Sequence, residues 1–226
     1  MATQPYKNAA GVRVPGVTTV IGGLGWNRDA LMGWANKEGR AGRDIRSRES
    51  RSAAIVGTAA HARIEAITHE QSFRVLPEEA DLTVEEREQE RLAVEGFLSW
   101  SRMSNLTIVA TEAHGVNENL QTGWCLDALA IENDRLTLID HKTGKAIYSD
   151  AIIQVSAYLH FAEAALIAGG WLNPGEYLTG AHILRVRGGN FSHLYRSRAS
   201  LEDAWEVFVR LRWLYDQRYL IESLTK

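Results

Sequence analysis

The sequence predicts an α/β fold, a central mixed β-sheet flanked by helices, and three observations carry that prediction. Apolar residues recur at helical spacing through much of the first hundred positions. The pattern then turns to short β-rich runs over 106–112, 122–131 and 135–142. A long apolar helical stretch over 151–168 separates those runs from a second strand pair at 179–187 and 191–197.

Taken in order, residues 13–22 are β-prone and bounded by Pro15 and Gly22-Gly23, which predicts a strand or extended loop. A helix follows from Asp29 to about Gly39, carrying Leu31, Trp34 and Ala35. From Lys37 to Arg51 six basic residues face three acidic ones, a local positive excess. Val56, Ala60, Ile64 and Ile67 form the buried stripe of a helix over 52–68, with Gly57, His61 and Glu65 as a second stripe beside it. A loop surrounds Pro77, and Thr83 with Glu86 is a capping box that opens a helix to about Met103. The three β-rich runs predict an antiparallel meander, turned in part by Asn133-Asp134. Ser149 or Asp150 caps the 151–168 helix and Gly169-Gly170 ends it. Gly188-Gly189-Asn190 signals a hairpin. Ser200 with Asp203 opens a last helix with Leu201, Trp205, Phe208, Leu211 and Leu214 at core spacing, and Trp100, Trp205 and Trp213 are expected in the core.

At 226 residues the chain suits one domain: a helical part at about 25–104, a sheet core at about 105–198 and a closing helix at about 200–224. Its 45% hydrophobic and 23% charged residues set aside collagenous, wholly disordered and coiled-coil classes. Lys and Arg number 25 against 28 Asp and Glu, a net charge of −3 that by itself counts against a nucleic-acid partner. One cysteine, Cys125, excludes an intramolecular disulfide and any cysteine-held zinc or iron–sulfur centre, and fits a reducing cytosol. Met1–Asn8 lacks the apolar core of a secretory signal and no run of about 18 apolar residues occurs, so a cytoplasmic protein with no membrane partner is expected. Gly144-Lys145 is followed by Ala146 and lacks the upstream glycine of a phosphate-binding loop.

Chemistry concentrates in Gly123-Trp-Cys-Leu-Asp127 and, a dozen residues on, Asp140-His141-Lys142-Thr143. Alternation along a strand places Asp140 and Lys142 on one face and His141 on the other. A turn at 132–134 folds the preceding strand back so that Asp127 approaches Asp140. Two carboxylates beside a lysine make a hard oxygen site for Mg²⁺ or Mn²⁺, of the kind that serves phosphodiester hydrolysis.

The ordered set resembles the RecB-like branch of the PD-(D/E)XK nuclease superfamily, which includes stand-alone phage exonucleases. Along residues 14–160 it comprises Val17-Thr18-Thr19, Gly57-Thr-Ala-Ala-His61, Glu112 on a strand, Asp127, Asp140-His-Lys142-Thr143 and Gln154-Val-Ser-Ala-Tyr158. The resemblance implies the restriction-endonuclease-like core of that superfamily. It implies His61, Asp127, Asp140 and the backbone carbonyl of His141 as metal ligands and Lys142 as the catalytic lysine. Gln154 and Tyr158 would orient Lys142 or the scissile phosphate, and Thr18 and Thr143 would offer hydroxyls to the DNA backbone. Glu65 and Glu112 would bind a second ion, support a ligand, or simply pair with an arginine. Apart from the resemblance, the local positive excess lets Arg43, Arg46 and Arg51 either meet DNA on the way into the His61 helix or form an ordinary solvated face, with Arg185, Arg187, Arg196 and Arg198 as a second contact. The chain departs from the pattern at Trp124, where the family has glycine one position after Gly123, at Gly16 in place of serine, and in lacking a cysteine quartet.

By resemblance the expected function is metal-dependent hydrolysis of single- or double-stranded DNA, foremost as an exonuclease of phage-type or bacterial recombination and repair, in a bacterial or phage-infected cell. A flap or branch endonuclease and a catalytically idle DNA-binding accessory are the alternatives. A single-strand-annealing or recombination protein, or further copies of the chain, are open as partners.

Overall fold

The computed structural model describes residues 5–26, 28–70 and 76–225, without the side chains at 49, 50 and 219. Residues 71–75 of the loop expected around Pro77 lie outside the described residues. Five strands form the central sheet in the order β1 (Thr107–Thr111), β4 (Ala128–Glu132), β5 (Arg135–Lys142), β6 (Gly180–Arg187) and β7 (Asn190–Ser197). A separate hairpin joins β2 (His114–Asn117) to β3 (Thr122–Cys125). The β5–β6 pair is parallel and the other neighbours antiparallel, so the sheet is mixed, as expected.

Helices α3 (Arg48–Thr68) and α4 (Val84–Met103) cover one face of the sheet. The other face carries α1 (Val17–Ile21), α5 (Ser149–Ala168) and α6 (Glu202–Ser223). Between α1 and α3 runs α2 (Arg28–Arg40), none of whose residues is buried. Each face has its own core: Ile64, Phe97, Trp100, Ile139 and Leu184 on the α3–α4 side, and Leu138, Leu159, Phe161, Ile183 and Phe208 on the α5–α6 side. Leu138 and Ile139 are neighbours on β5, both fully buried, and enter opposite cores because successive strand residues point to opposite faces.

By length and composition α5 is the one helix among the described residues apolar enough to cross a membrane, and more than half of it is buried in the protein. Ile153, Val155, Leu159 and Phe161 form the apolar side that it packs into the core.

Local chemistry fixed several elements as anticipated. Thr83 caps α4: its hydroxyl accepts from the Glu86 amide at 3.2 Å, and the Glu86 carboxylate accepts from the Thr83 amide at 2.9 Å. Asn133 and Asp134 take φ of 49° and 60° and turn β4 into β5, while Gly188 and Gly189 at 60° and 76° turn β6 into β7.

Five expectations are corrected. Residues 17–21 are helical rather than extended, because Val17, Val20 and Ile21 fall at helical spacing and burying all three against α5 and α6 overrides the β preference of branched side chains. The 106–142 region is no simple meander: the 122–131 run breaks at Leu126-Asp127, so that β3 pairs with β2 and β4 pairs with β1 and β5. Tyr148, without a side-chain bond, stands at the cap of α5, which begins at Ser149, and the closing segment is capped by Ser197, whose hydroxyl accepts from the Ser200 amide. Trp213 and Leu214 are exposed although Phe208 and Leu211 on the same helix are buried.

Glu86 also ion-pairs with Arg48 at 2.8 Å, tying α3 to the start of α4. The Arg48 hydrogen bond first, and the Thr83 amide second, lower its carboxyl from 4.5 to about 2. Its contribution to stability is therefore complete above pH 4.5 and is lost as pH falls toward 2. Acid titrations of urea unfolding are expected to show a shallower loss across that window for Glu86→Gln than for the wild type, and Thr83→Ala is expected to cost about 1 kcal/mol at neutral pH.

Candidate active site

The parallel pairing of β5 with β6 buries β5 on both faces, so Asp140, His141 and Lys142 at its end enter the protein interior. Asp140 and His141 are buried and Lys142 is half-buried. Asp140 and Lys142 face α5 and His141 faces α3 and α4, as strand alternation requires.

Lys142 Nζ lies 2.7 Å from Asp140 Oδ2 and donates to Oδ1 at 2.9 Å. It also donates to Gln154 Oε1 at 3.1 Å, and Gln154 Nε2 donates to the Tyr158 hydroxyl at 3.1 Å. Gln154 and Tyr158 stand one turn apart on α5, a spacing that lets both reach the same strand. Burial disfavours the Lys142 charge, but Asp140 and Asp127 outweigh it and hold the ammonium above its usual range. Burial pushes the Asp140 carboxyl up, against the pull of Lys142. Burial, with Asp140 nearby, also raises the Tyr158 hydroxyl well above its usual value.

Asp127 sits in the break between β3 and β4, opposite Asp140 across the β4–β5 ladder. Its Oδ2 accepts from the His141 amide at 2.6 Å and its Oδ1 lies 3.4 Å from His61 Nδ1. Burial would raise this carboxyl, but His61, His141 and Lys142 overcome that and hold it below the ordinary range. Asp127 likewise outweighs burial at His61 and raises its pKa. The His141 ring packs edge-on to Phe97 and His61, and burial lowers it to about 4, so it is neutral near pH 7.

The carboxylates of Asp127 and Asp140 are oxygen donors of the kind that Mg²⁺ or Mn²⁺ accepts and so fit the expected ion, while the His61 imidazole is a donor that softer transition metals prefer. Among the described residues, no three His, Cys, Asp or Glu side chains converge as a metal-binding group. Both oxygens of Asp140 lie within 3 Å of the Lys142 ammonium, at 2.7 Å and 2.9 Å.

Glu112 lies just beyond β1 in a left-handed turn with φ of 50°, not on a strand as expected. Its amide donates to Asp127 O at 3.0 Å, and its Oε2 accepts from Cys125 Sγ at 3.4 Å. Burial and then Glu112 push the Cys125 thiol up to about 12, which leaves it an inert proton donor. Glu65 lines the cleft that also holds His61, Glu112 and Asp127.

Thr18 lies exposed on α1, on a wall shared by two grooves that also reach Gln154 and Tyr158. Thr143 follows Lys142, with its hydroxyl against α3 at Gly57. Arg43 pairs with Glu38 at 2.6 Å, Arg46 is exposed in the turn before α3, and Arg51 is exposed on α3. On the late hairpin, Arg185 and Arg187 each donate to a carbonyl, of Gly144 and Thr143, and brace the loop after Lys142, while Arg198 is held by Glu163 and Glu202. Arg196 donates to the carbonyl of Tyr195.

Tyr6 was not singled out in the sequence, and it accounts for Gly123. A Cβ at Gly123 would fall on the Tyr6 ring, and Gly123 also donates to Pro15 O at 2.9 Å. The glycine therefore lets the 5–16 segment lie along β3, and no periodic signal marks a tyrosine so distant in sequence.

No protein-family model matches the sequence, and no curated protein is significantly similar to it. Among solved structures, that of SSO0001 is 14% identical over 75% of this chain and 82% of the other, with a TM-score of 0.32. LHK-Exo in complex with dAMP is 13% identical over 78% of this chain and 95% of the other, with a TM-score of 0.33. Likeness at these levels assigns neither family nor activity.

A methyl group at Gly57 would meet Thr143 Oγ1 at 2.8 Å. Gly57→Ala is therefore expected to lack the roughly 1 kcal/mol that alanine ordinarily adds within a helix, and to recover it in a Thr143→Ala background. Urea unfolding of the four proteins measures this coupling.

Proposed function

We propose that this protein is a metal-dependent deoxyribonuclease of the PD-(D/E)XK type, acting as an exonuclease in phage-type or bacterial recombination or repair. The observation that supports it most is the buried Asp140–Lys142 ion pair at the end of β5, with Asp127 and His61 on one side and Gln154–Tyr158 on the other. A structural surface salt bridge contributes little and needs no such surroundings. Here two carboxylates and a lysine are gathered in the interior at considerable desolvation cost, a pattern that concentrates at reactive sites.

In this reading Asp127, Asp140 and His61, with the carbonyl of His141, hold Mg²⁺ or Mn²⁺. An ion held there would supply polarisation of the phosphate and a lowered pKa for a bound water. Lys142 orients the attacking water and neutralises charge that develops on the phosphate oxygens as the water oxygen bonds to phosphorus and one P–O ester bond breaks. Gln154 fixes the ammonium through its Oε1 and is itself fixed by Tyr158. The His141 amide holds the Asp127 carboxylate in place, and Arg185 and Arg187 hold the loop that follows Lys142. Thr18 and Thr143 contact the sugar–phosphate backbone.

Release of acid-soluble nucleotides from linear DNA is expected with Mg²⁺ or Mn²⁺ and is expected to vanish with EDTA and with Asp140→Ala. Lys142→Ala is expected to lower the rate about a hundredfold or more. Activity that survives both EDTA and Asp140→Ala would sink the proposal. Covalently closed circular DNA should remain intact; nicking of it would favour the endonuclease reading.

A further inference from the structure

The helix α2 and its flanks expose an apolar surface that the fold does not use. Trp26, Leu31, Met32, Trp34 and Ile45 line one groove, of about 840 Å³, and the tryptophans remain 60% and 40% exposed. Patches of this kind on a soluble protein mark recognition surfaces. The same groove continues to Thr18 and Gln154, and Gln154 is the residue that holds Lys142. Whatever fills it is therefore contiguous with the substrate at the candidate active site.

We infer that this groove receives the unpaired bases of a DNA strand, an inference that rests on the nuclease reading and names its substrate as single-stranded ends. Indole faces stack on nucleobases of any sequence. In a duplex the base faces are stacked on one another and only their edges are open, so two exposed indoles suit a strand whose bases have separated. Arg28, Arg218 and Asp150 also line the groove, with Arg218 paired to Glu222. The locally basic segment that contains Arg40, Arg43 and Arg46 begins at the end of α2, and of these three only Arg43 is ion-paired among the described residues, to Glu38; the remaining positive excess favours an anionic strand over an apolar peptide.

The test compares an oligodeoxythymidylate with a base-free phosphodiester oligomer of equal length, each titrated into the full chain carrying Asp140→Asn to prevent cleavage. Binding of the oligodeoxythymidylate is expected to quench tryptophan fluorescence and to be about tenfold tighter than that of the base-free oligomer. Trp34→Ala is expected to remove most of that difference, weakening the oligodeoxythymidylate about tenfold and leaving the base-free oligomer unchanged. Trp34→Phe, which keeps a ring and the helix, should fall between the two and serves if the alanine variant does not fold.

Equal affinity for both oligomers, or no effect of either substitution, overturns the inference. So does loss of self-association in Trp34→Ala without a change in DNA binding, which would make the groove a contact between copies. Because the titration requires no cleavage, its failure is distinct from failure of the nuclease reading, which is decided by nucleotide release from the wild type.

Discussion

The structure turns on β5, a strand buried on both faces. Its parallel partner β6 and its antiparallel partner β4 satisfy its backbone, and alternate side chains feed two separate cores. Leu138 and Ile139 show what that position ordinarily demands, which is apolar residues on either side. One residue further on the same register carries Asp140 and His141 into the interior. The strand therefore presents polar groups where water is scarce: Lys142 and Gln154 meet Asp140 on the α5 side, while on the α3–α4 side the His141 ring packs edge-on to His61 and Phe97 with its Nε2 buried and without a hydrogen-bond partner among the described residues.

That demand explains the division of labour between the carboxylates. Asp127 has a backbone amide and two imidazoles and is held as an anion, whereas Asp140 depends on one lysine against the full effect of burial. Charges in a medium of low polarity interact strongly, so small movements of Lys142 have large effects on the pair. The hydrogen-bonded chain from Tyr158 through Gln154 to Lys142 limits those movements. Gly57 has a similar part in backbone terms, since only a residue without a side chain lets α3 come so near Thr143.

Much of this was legible in the sequence where a residue's role is local. The Thr83–Glu86 box, the Asn133-Asp134 and Gly188-Gly189 turns and the alternation of Asp140, His141 and Lys142 all follow from neighbours a few positions away. The misreadings arose where distant contacts decide. Branched residues at 17–21 suggest a strand until α5 and α6 bury them at helical spacing. Glu112 matches a strand position by order alone, yet its left-handed φ of 50° ends β1 just before it, although its amide still donates to Asp127 O. The exposed face of α2 was visible only as a run of apolar residues, which in most helices means a core.

The contact of the 5–16 segment with β3 has a consequence for how the protein comes to exist. Asn8 bonds to Gln121, 113 residues away, and Pro15 bonds to Gly123. This segment leaves the ribosome early but has nowhere to lie until β3 has followed it. Closing so long a loop costs conformational entropy, and α1, which follows this segment, is buried against α5 and α6, both later in the chain than β5. The channel walls at Thr18 therefore depend on helices that lie beyond the carboxylate-bearing strand in the chain.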